Sequence, residues 1–184
     1  ISFIKKNCNI TIDSEIVVSA DLKDLSQSNF LFITGHGLIK LNDAEINNLR
    51  NFCFAGGFIY IDDCYGLDQH IRPLIKKIFQ EAELVELPNS HKIYSSYFKF
   101  SNGLPKIHEH DNLPAQGFGI YINKKLALFY TYQSDIGDGC EDEWVHNLPN
   151  SLREQALKMF ANIIIYHLLF NTSSLTIISP IIFI

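Results

Sequence analysis

The sequence predicts a single α/β domain over residues 1–170, built on a mostly parallel sheet, with an apolar tail at 171–184. Three observations predict it. The runs Phe30-Leu-Phe-Ile33 and Phe58-Ile-Tyr-Ile61 are unbroken and apolar, as strands buried on both faces are. Each opens into glycine-bracketed polar residues, Thr34-Gly-His-Gly37 and Asp62-Asp-Cys-Tyr-Gly66, the form of a strand end that feeds a ligand crevice. Segments of helical periodicity follow both runs, so strand and helix alternate as in βαβ units.

Taken in order, Glu15 to Ser19 reads as a strand, and Asp21 to Ser28 as a polar connection into the strand Phe30 to Ile33. Asn42-Asp-Ala-Glu45 has the capping-box form, and Ile46, Leu49, Phe52 and Cys53 then recur at helical spacing until Gly56-Gly57 ends the helix. After the strand Phe58 to Ile61 comes a helix from about Leu67 to Phe79, with Ile71, Leu74, Ile75 and Ile78 on one face. Leu84 to Leu87 reads as a short strand, and His91 to Asp111 as an irregular, aromatic-rich lid or hairpin. Gly117 to Ile122 and Leu126 to Tyr132 form two strands around a turn, an antiparallel addition that makes the sheet mixed. Asp135 to Trp144 is an acidic loop, and Ser151, with Glu154 three residues on, caps a long helix to about Phe170.

Composition narrows the function. With 184 residues, 47% of them apolar, the chain supports one substantial core. A net charge of −5 and no basic run exclude a nucleic-acid partner, leaving a small molecule or a protein. Cys8, Cys53, Cys64 and Cys140 show neither zinc-finger nor disulfide-scaffold spacing and are expected as free thiols. The apolar stretch from Met159 is broken by Asn171-Thr-Ser-Ser174 and Pro180, so a buried helix followed by a tail is expected rather than a membrane span. No dinucleotide fingerprint or Walker loop is present; no cofactor is expected, with a divalent metal as the open alternative.

Thr34-Gly-His-Gly37, the acidic helix start after it, Gly56-Gly-Phe-Ile-Tyr-Ile-Asp-Asp63, Leu87-Pro-Asn-Ser-His-Lys-Ile-Tyr94 and Ala161-Asn-Ile-Ile-Ile-Tyr166 resemble, in this order, the bacterial domain-of-unknown-function family 4159, over about residues 13 to 170. The resemblance implies a three-layer, flavodoxin-like fold with helices on both faces of the sheet, as in the class I glutamine amidotransferase superfamily. It also implies an exported protein of the periplasm or cell envelope. It supplies no activity. Amidotransferase relatives carry their nucleophile in a Gly-x-Cys-x-Gly elbow. Here Asp62 replaces the first glycine, and only Cys64 and Gly66 remain. Their late His-x-Glu also has no counterpart, since His108-Glu109-His110 comes too early; the Leu175 to Ile184 end matches nothing in the family.

The candidate catalytic residues are His36, Asp62, Asp63 and Cys64. Cys64 follows a buried strand and precedes a helix, which favours a thiolate, but two adjacent carboxylates oppose it. Asp62 and Asp63 need donors, protons or a cation, and because side chains alternate along a strand, one can cap the next helix while the other faces the crevice. For the alternative of a divalent metal, the candidate ligands are Asp62 or Asp63 with His36 or His91, against helix capping as the plainer role of the carboxylates. The expected ligand pocket comprises Gly35, His36, Gly37, Asp62, Asp63, Tyr65, His91 and Asp135. His108-x-His110, with Asp111 beside it, has metal-like spacing but is read as an exposed polar loop. The expected function is a ligand- or partner-binding domain without amidotransferase machinery. The alternative is a hydrolase in which a metal or the Asp/His group activates water.

Overall fold

The computed structural model describes residues 1–12, 14–172 and the backbone of 181–183. Its sheet contains β1 (Glu15–Val17), β2 (Phe30–Gly35), β3 (Phe58–Asp63), β4 (Val85–Glu86), β5 (Gln116–Ile122), β6 (Lys125–Tyr132) and β7 (Ile181–Phe183). The spatial order is β1-β7-β2-β3-β6-β5-β4. Neighbours from β1 through β6 run parallel, while β5 is antiparallel to β6 and β4 to β5. The fold is therefore mixed α/β with a parallel core. The expected tail lies largely in 173–180 and 184, outside the described residues.

Alternation along β2 and β3 divides the core into two layers. Phe30, Phe32, Phe58 and Tyr60 face α1 (Ser2–Cys8) and α7 (Asn150–Phe170), whose Met159, Ile163 and Ile164 are fully buried against them. Leu31, Ile33, Ile59 and Ile61 face α2 (Leu22–Leu25), α3 (Asp43–Phe54) and α4 (Asp68–Ile78). On α4 the expected stripe Ile71, Leu74, Ile75 and Ile78 is buried, each side chain contributing roughly 1.5–3 kcal/mol. A bulge at Ala127, where the register jumps from Ile120↔Leu128 to Tyr121↔Leu126, turns Leu126 to the α7 face while Ala127 and Leu128 both face α3 and α4.

Local chemistry explains most boundaries. Asn42 accepts from the Glu45 N–H and Glu45 returns a bond to the Asn42 N–H, so the capping box that starts α3 is complete. Asn123 and Lys124 both take positive φ, the two-residue turn whose twist suits a β-hairpin. Three expectations are corrected. The polar connection after residue 21 contains α2, because the Asp21 carboxylate caps it through the Asp24 N–H at 2.9 Å. The long helix begins at Asn150 behind Pro149, without a Ser151 side-chain cap; the Pro149 carbonyl takes the Leu152 and Arg153 N–H groups instead. The acidic stretch is not a loop but α5 (Ile136–Cys140) and α6 (Glu143–His146). All four cysteines are free. Among the described residues, no helix is long and apolar enough to cross a membrane.

Candidate functional site

Parallel register places Thr34 opposite Asp62 and Asp62 opposite Thr131. These residues lie at the ends of β2, β3 and β6, two positions after Phe32, Tyr60 and Phe129, so their side chains form a polar row on the same α7 face of the sheet. Onto this row comes the first turn of α5. The Gly137 N–H donates to Asp62 Oδ2 at 2.6 Å, and the Thr131 hydroxyl donates to Asp62 Oδ1. A Cβ on Gly137 would lie 3.1 Å from that carboxylate and 3.4 Å from Thr34 Oγ1, a close approach that glycine avoids. Asp62 is wholly buried. Burial, reinforced by Asp135 and Asp138, pushes its carboxyl up to about 7, with the Thr131 and Gly137 hydrogen bonds restraining the rise.

The other expected site residues separate. Asp63 points to the opposite face, where its carboxylate accepts the Leu67 N–H at 2.8 Å ahead of α4; burial raises its carboxyl and that bond opposes the rise. Cys64 lies 3.1 Å from both Thr34 Oγ1 and Asp138 Oδ1. Burial and then Asp62 push its thiol well up, opposing the thiolate that a nucleophile requires. No histidine reaches its sulfur among the described hydrogen bonds. His36 is exposed and takes no part in the described hydrogen bonds around Asp62. The His36 carbonyl passes close to Gly66, where a Cβ would lie 3.3 Å from it and where φ is 103°.

His91 is displaced altogether. Its Nδ1 accepts the Ile93 N–H, and its Nε2 lies 3.0 Å from the Tyr121 hydroxyl. Because β5 is antiparallel to β6, Tyr121 pairs with Leu126, five residues and about 16 Å of strand from Thr131. The metal set expected from Asp62, Asp63, His36 and His91 is not assembled.

What assembles instead is His108, His110 and Asp135, whose ligand-type atoms lie within 4.8 Å of one another. His110 Nε2 is 2.6 Å from Asp135 Oδ2, and His108 Nδ1 is 3.8 Å from the same oxygen. The irregular segment reaches Asp135 because it is latched along its length. The Ile107 N–H donates to the Ser134 carbonyl at 2.8 Å, the Ser134 hydroxyl donates to the Pro105 carbonyl at 2.6 Å, and the Gln133 amide donates to Asp111 at 2.9 Å. Tyr65 stacks on His110 with ring centroids 4.3 Å apart and donates its hydroxyl to Asp111. Asp135 is 1% exposed, and among the described residues its Oδ1 has no hydrogen-bond partner. Burial raises its carboxyl, opposed by His110. Asp138 Oδ2 lies 3.1 Å from His108 Nδ1 and 3.7 Å from His146 Nδ1. The His-x-His spacing was the one sequence signal for this cluster; nothing local to it points to a carboxylate 25 residues away.

A cavity of about 560 Å³ adjoins the cluster. Thr34, Cys64, Gly137 and Asp138 form its polar side, and Phe3, Phe32, Leu157 and Phe160 line its apolar side. Asp138 thus belongs to the cavity wall and touches His108.

The family model described as Domain of unknown function (DUF4159) matches residues 1–168. No curated protein matches the sequence.

Proposed function

The chain belongs to the domain-of-unknown-function family DUF4159, and we propose that it is a ligand-binding domain whose small-molecule ligand occupies the cavity at the carboxyl ends of the parallel strands. The observation that carries this is the cavity itself. Its volume of about 560 Å³ is that of a small-molecule site, it is largely apolar, and polar groups from two strand ends and α5 converge on one side. The location is where open α/β sheets place ligands. Among the described residues the wall holds Glu15, Asp138, Glu141 and Asp142 and no Lys or Arg; the Ile1 ammonium lies 3.6 Å from Glu15, and the remaining acidic excess disfavours phosphate and favours a neutral or cationic ligand. The flavodoxin-like, amidotransferase-like description belongs to this proposal, supported by the parallel core with helices on both faces. Amidotransferase chemistry does not belong to it, because Cys64 bonds to Thr34 and Asp138 rather than to a histidine base.

A second reading is a hydrolase, favoured by the convergence of His108, His110 and Asp135. In such a reaction activated water adds to an acyl carbon, the bond to the leaving oxygen or nitrogen breaks, and that atom takes the proton released by the water.

The test is a fragment screen by NMR on the wild-type domain and on Leu157→Trp, which fills the cavity from its apolar side. Hits that shift Thr34, Gly137 and Asp138 resonances and vanish in a folded Leu157→Trp support the reading. An absence of hits at these residues, or binding indifferent to the tryptophan, overturns it.

A further inference from the structure

We infer that His108, His110 and Asp135 hold a divalent transition-metal ion at the edge of the cavity. This rests on the ligand-binding reading above and adds an ion to it.

Chemistry and geometry agree. Two imidazole nitrogens and one carboxylate oxygen suit zinc or ferrous iron, whereas calcium and magnesium take oxygen ligands. A tetrahedral ion with bonds of about 2.0–2.1 Å sets its ligand atoms about 3.3 Å apart. The His110–Asp135 pair at 2.6 Å must open slightly and the His108–Asp135 pair at 3.8 Å must close slightly, both within reach of side-chain rotation. The latch of residues 105–111 onto 133–135 already supplies the backbone order that an ion site requires.

A second observation points to a cation independently of the spacing. Asp135 is buried, and among the described residues its Oδ1 has no hydrogen-bond partner. A carboxylate oxygen out of water without a partner is costly, and among the described ion pairs neither Lys nor Arg meets Asp135 or Asp138. An ion shared with the two histidines would neutralise this carboxylate, through Oδ2 as it stands or through Oδ1 after the carboxylate turns. Three protein ligands leave a coordination position open, the pattern of zinc sites that bind water or substrate rather than closed structural sites. Asp138 lies between the cluster and the cavity: it lines the cavity, and its Oδ2 is 3.1 Å from His108 Nδ1, a contact that an ion on that nitrogen would replace.

The experiment strips the purified protein with chelator, adds Zn²⁺ or Co²⁺, and measures bound metal per chain and the visible spectrum of the cobalt form. The expected result is one ion per chain and the intense bands of four-coordinate cobalt. Affinity should fall at least 100-fold in His110→Ala and in the near-isosteric Asp135→Asn, and remain unchanged in His36→Ala and His91→Ala. Circular dichroism of each variant separates ligand loss from unfolding, and the partly exposed His110 makes its alanine variant the decisive one. Binding below one equivalent with either ion, or full binding in a folded His110→Ala, overturns the inference. Fragments that still bind the cavity without metal leave the ligand-binding reading intact; metal bound without any cavity ligand does the reverse.

Discussion

Replacing Asp62 by Asn should stabilise the metal-free protein at neutral and alkaline pH and leave it unchanged in acid. The folded carboxyl titrates near 7 against an ordinary value of 3.8, so the native state holds a proton that the unfolded chain has released. For a group with a raised folded pKa, stability is fully present below the unfolded pKa and is lost as pH rises through the folded one. Three pH units at about 1.36 kcal/mol each set the loss at about 4 kcal/mol. The neutral acid is well accommodated: its O–H is directed to Thr131 Oγ1, whose own hydrogen turns to the Ile61 carbonyl at 3.3 Å, while Gly137 N–H holds the other oxygen. An asparagine reproduces this pattern, its NH₂ toward Thr131 and its carbonyl toward Gly137, and cannot ionise. Urea unfolding followed by circular dichroism, with chelator, from pH 3.5 to 8.5 measures the difference between variant and wild type. It should be near zero at the acid end, grow by about 1.4 kcal/mol per unit at its steepest, and level off above pH 7. A difference that stays flat with pH, or a variant less stable than wild type at pH 8, would refute the burial argument.

Further predictions follow the same logic. His167 is buried beside Phe30 and Phe58, with neither ring nitrogen hydrogen-bonded among the described residues and its pKa pushed down to about 4 by burial and Lys125. Its contribution is fully present above the ordinary value of 6.5 and lost as pH falls through 4, so wild type should lose about 3 kcal/mol relative to His167→Leu over that window, read from the same titration. Gly137→Ala should cost about 1–3 kcal/mol in urea unfolding, because its methyl meets Asp62 and Thr34. Asn162 accepts the Tyr97 and Phe98 N–H groups and donates to the Phe98 carbonyl at 2.7 Å; Asn162→Ala should cost about 2–4 kcal/mol and raise hydrogen exchange at Tyr97 and Phe98, whereas unchanged exchange would contradict its anchoring role. Alkylation of Cys64 at pH 8 should be at least tenfold slower than that of a free thiol, measured by mass spectrometry, since burial and Asp62 oppose its ionisation.

The expected metal ligands illustrate where sequence reasoning stops. Asp62 and Asp63 are correctly seen as strand-end carboxylates that need not point together, because a period of two is a local property. The structure turns Asp63 to the Leu67 N–H and Asp62 to Gly137, and the second partner is 75 residues away. His91 stands with His36 as a candidate ligand in the sequence, yet its Nε2 meets Tyr121, which the antiparallel pairing of β5 with β6 sets opposite Leu126, five residues of strand from Thr131. His108-x-His110 reads in the sequence as an exposed polar loop, since short His-x-His pairs are common by chance. Its position is set by Ile107, Ser134, Gln133 and Asp111, which bond across more than 20 residues of chain.

The sequence by itself determined the elements: the buried strands Phe30 to Ile33 and Phe58 to Ile61, the capping box at Asn42, the apolar stripe of α4 and the hairpin around Asn123. Each is encoded in the spacing of apolar and capping residues within one or two turns, where burial and backbone hydrogen bonding act locally. Only the tertiary structure decided which polar groups meet. Strand register made a row of Thr34, Asp62 and Thr131, and the latch between 105–111 and 133–135 brought two histidines to a buried carboxylate. Those meetings depend on hydrogen bonds between distant segments, whose formation follows from the packing of the whole sheet and from no pattern within either segment.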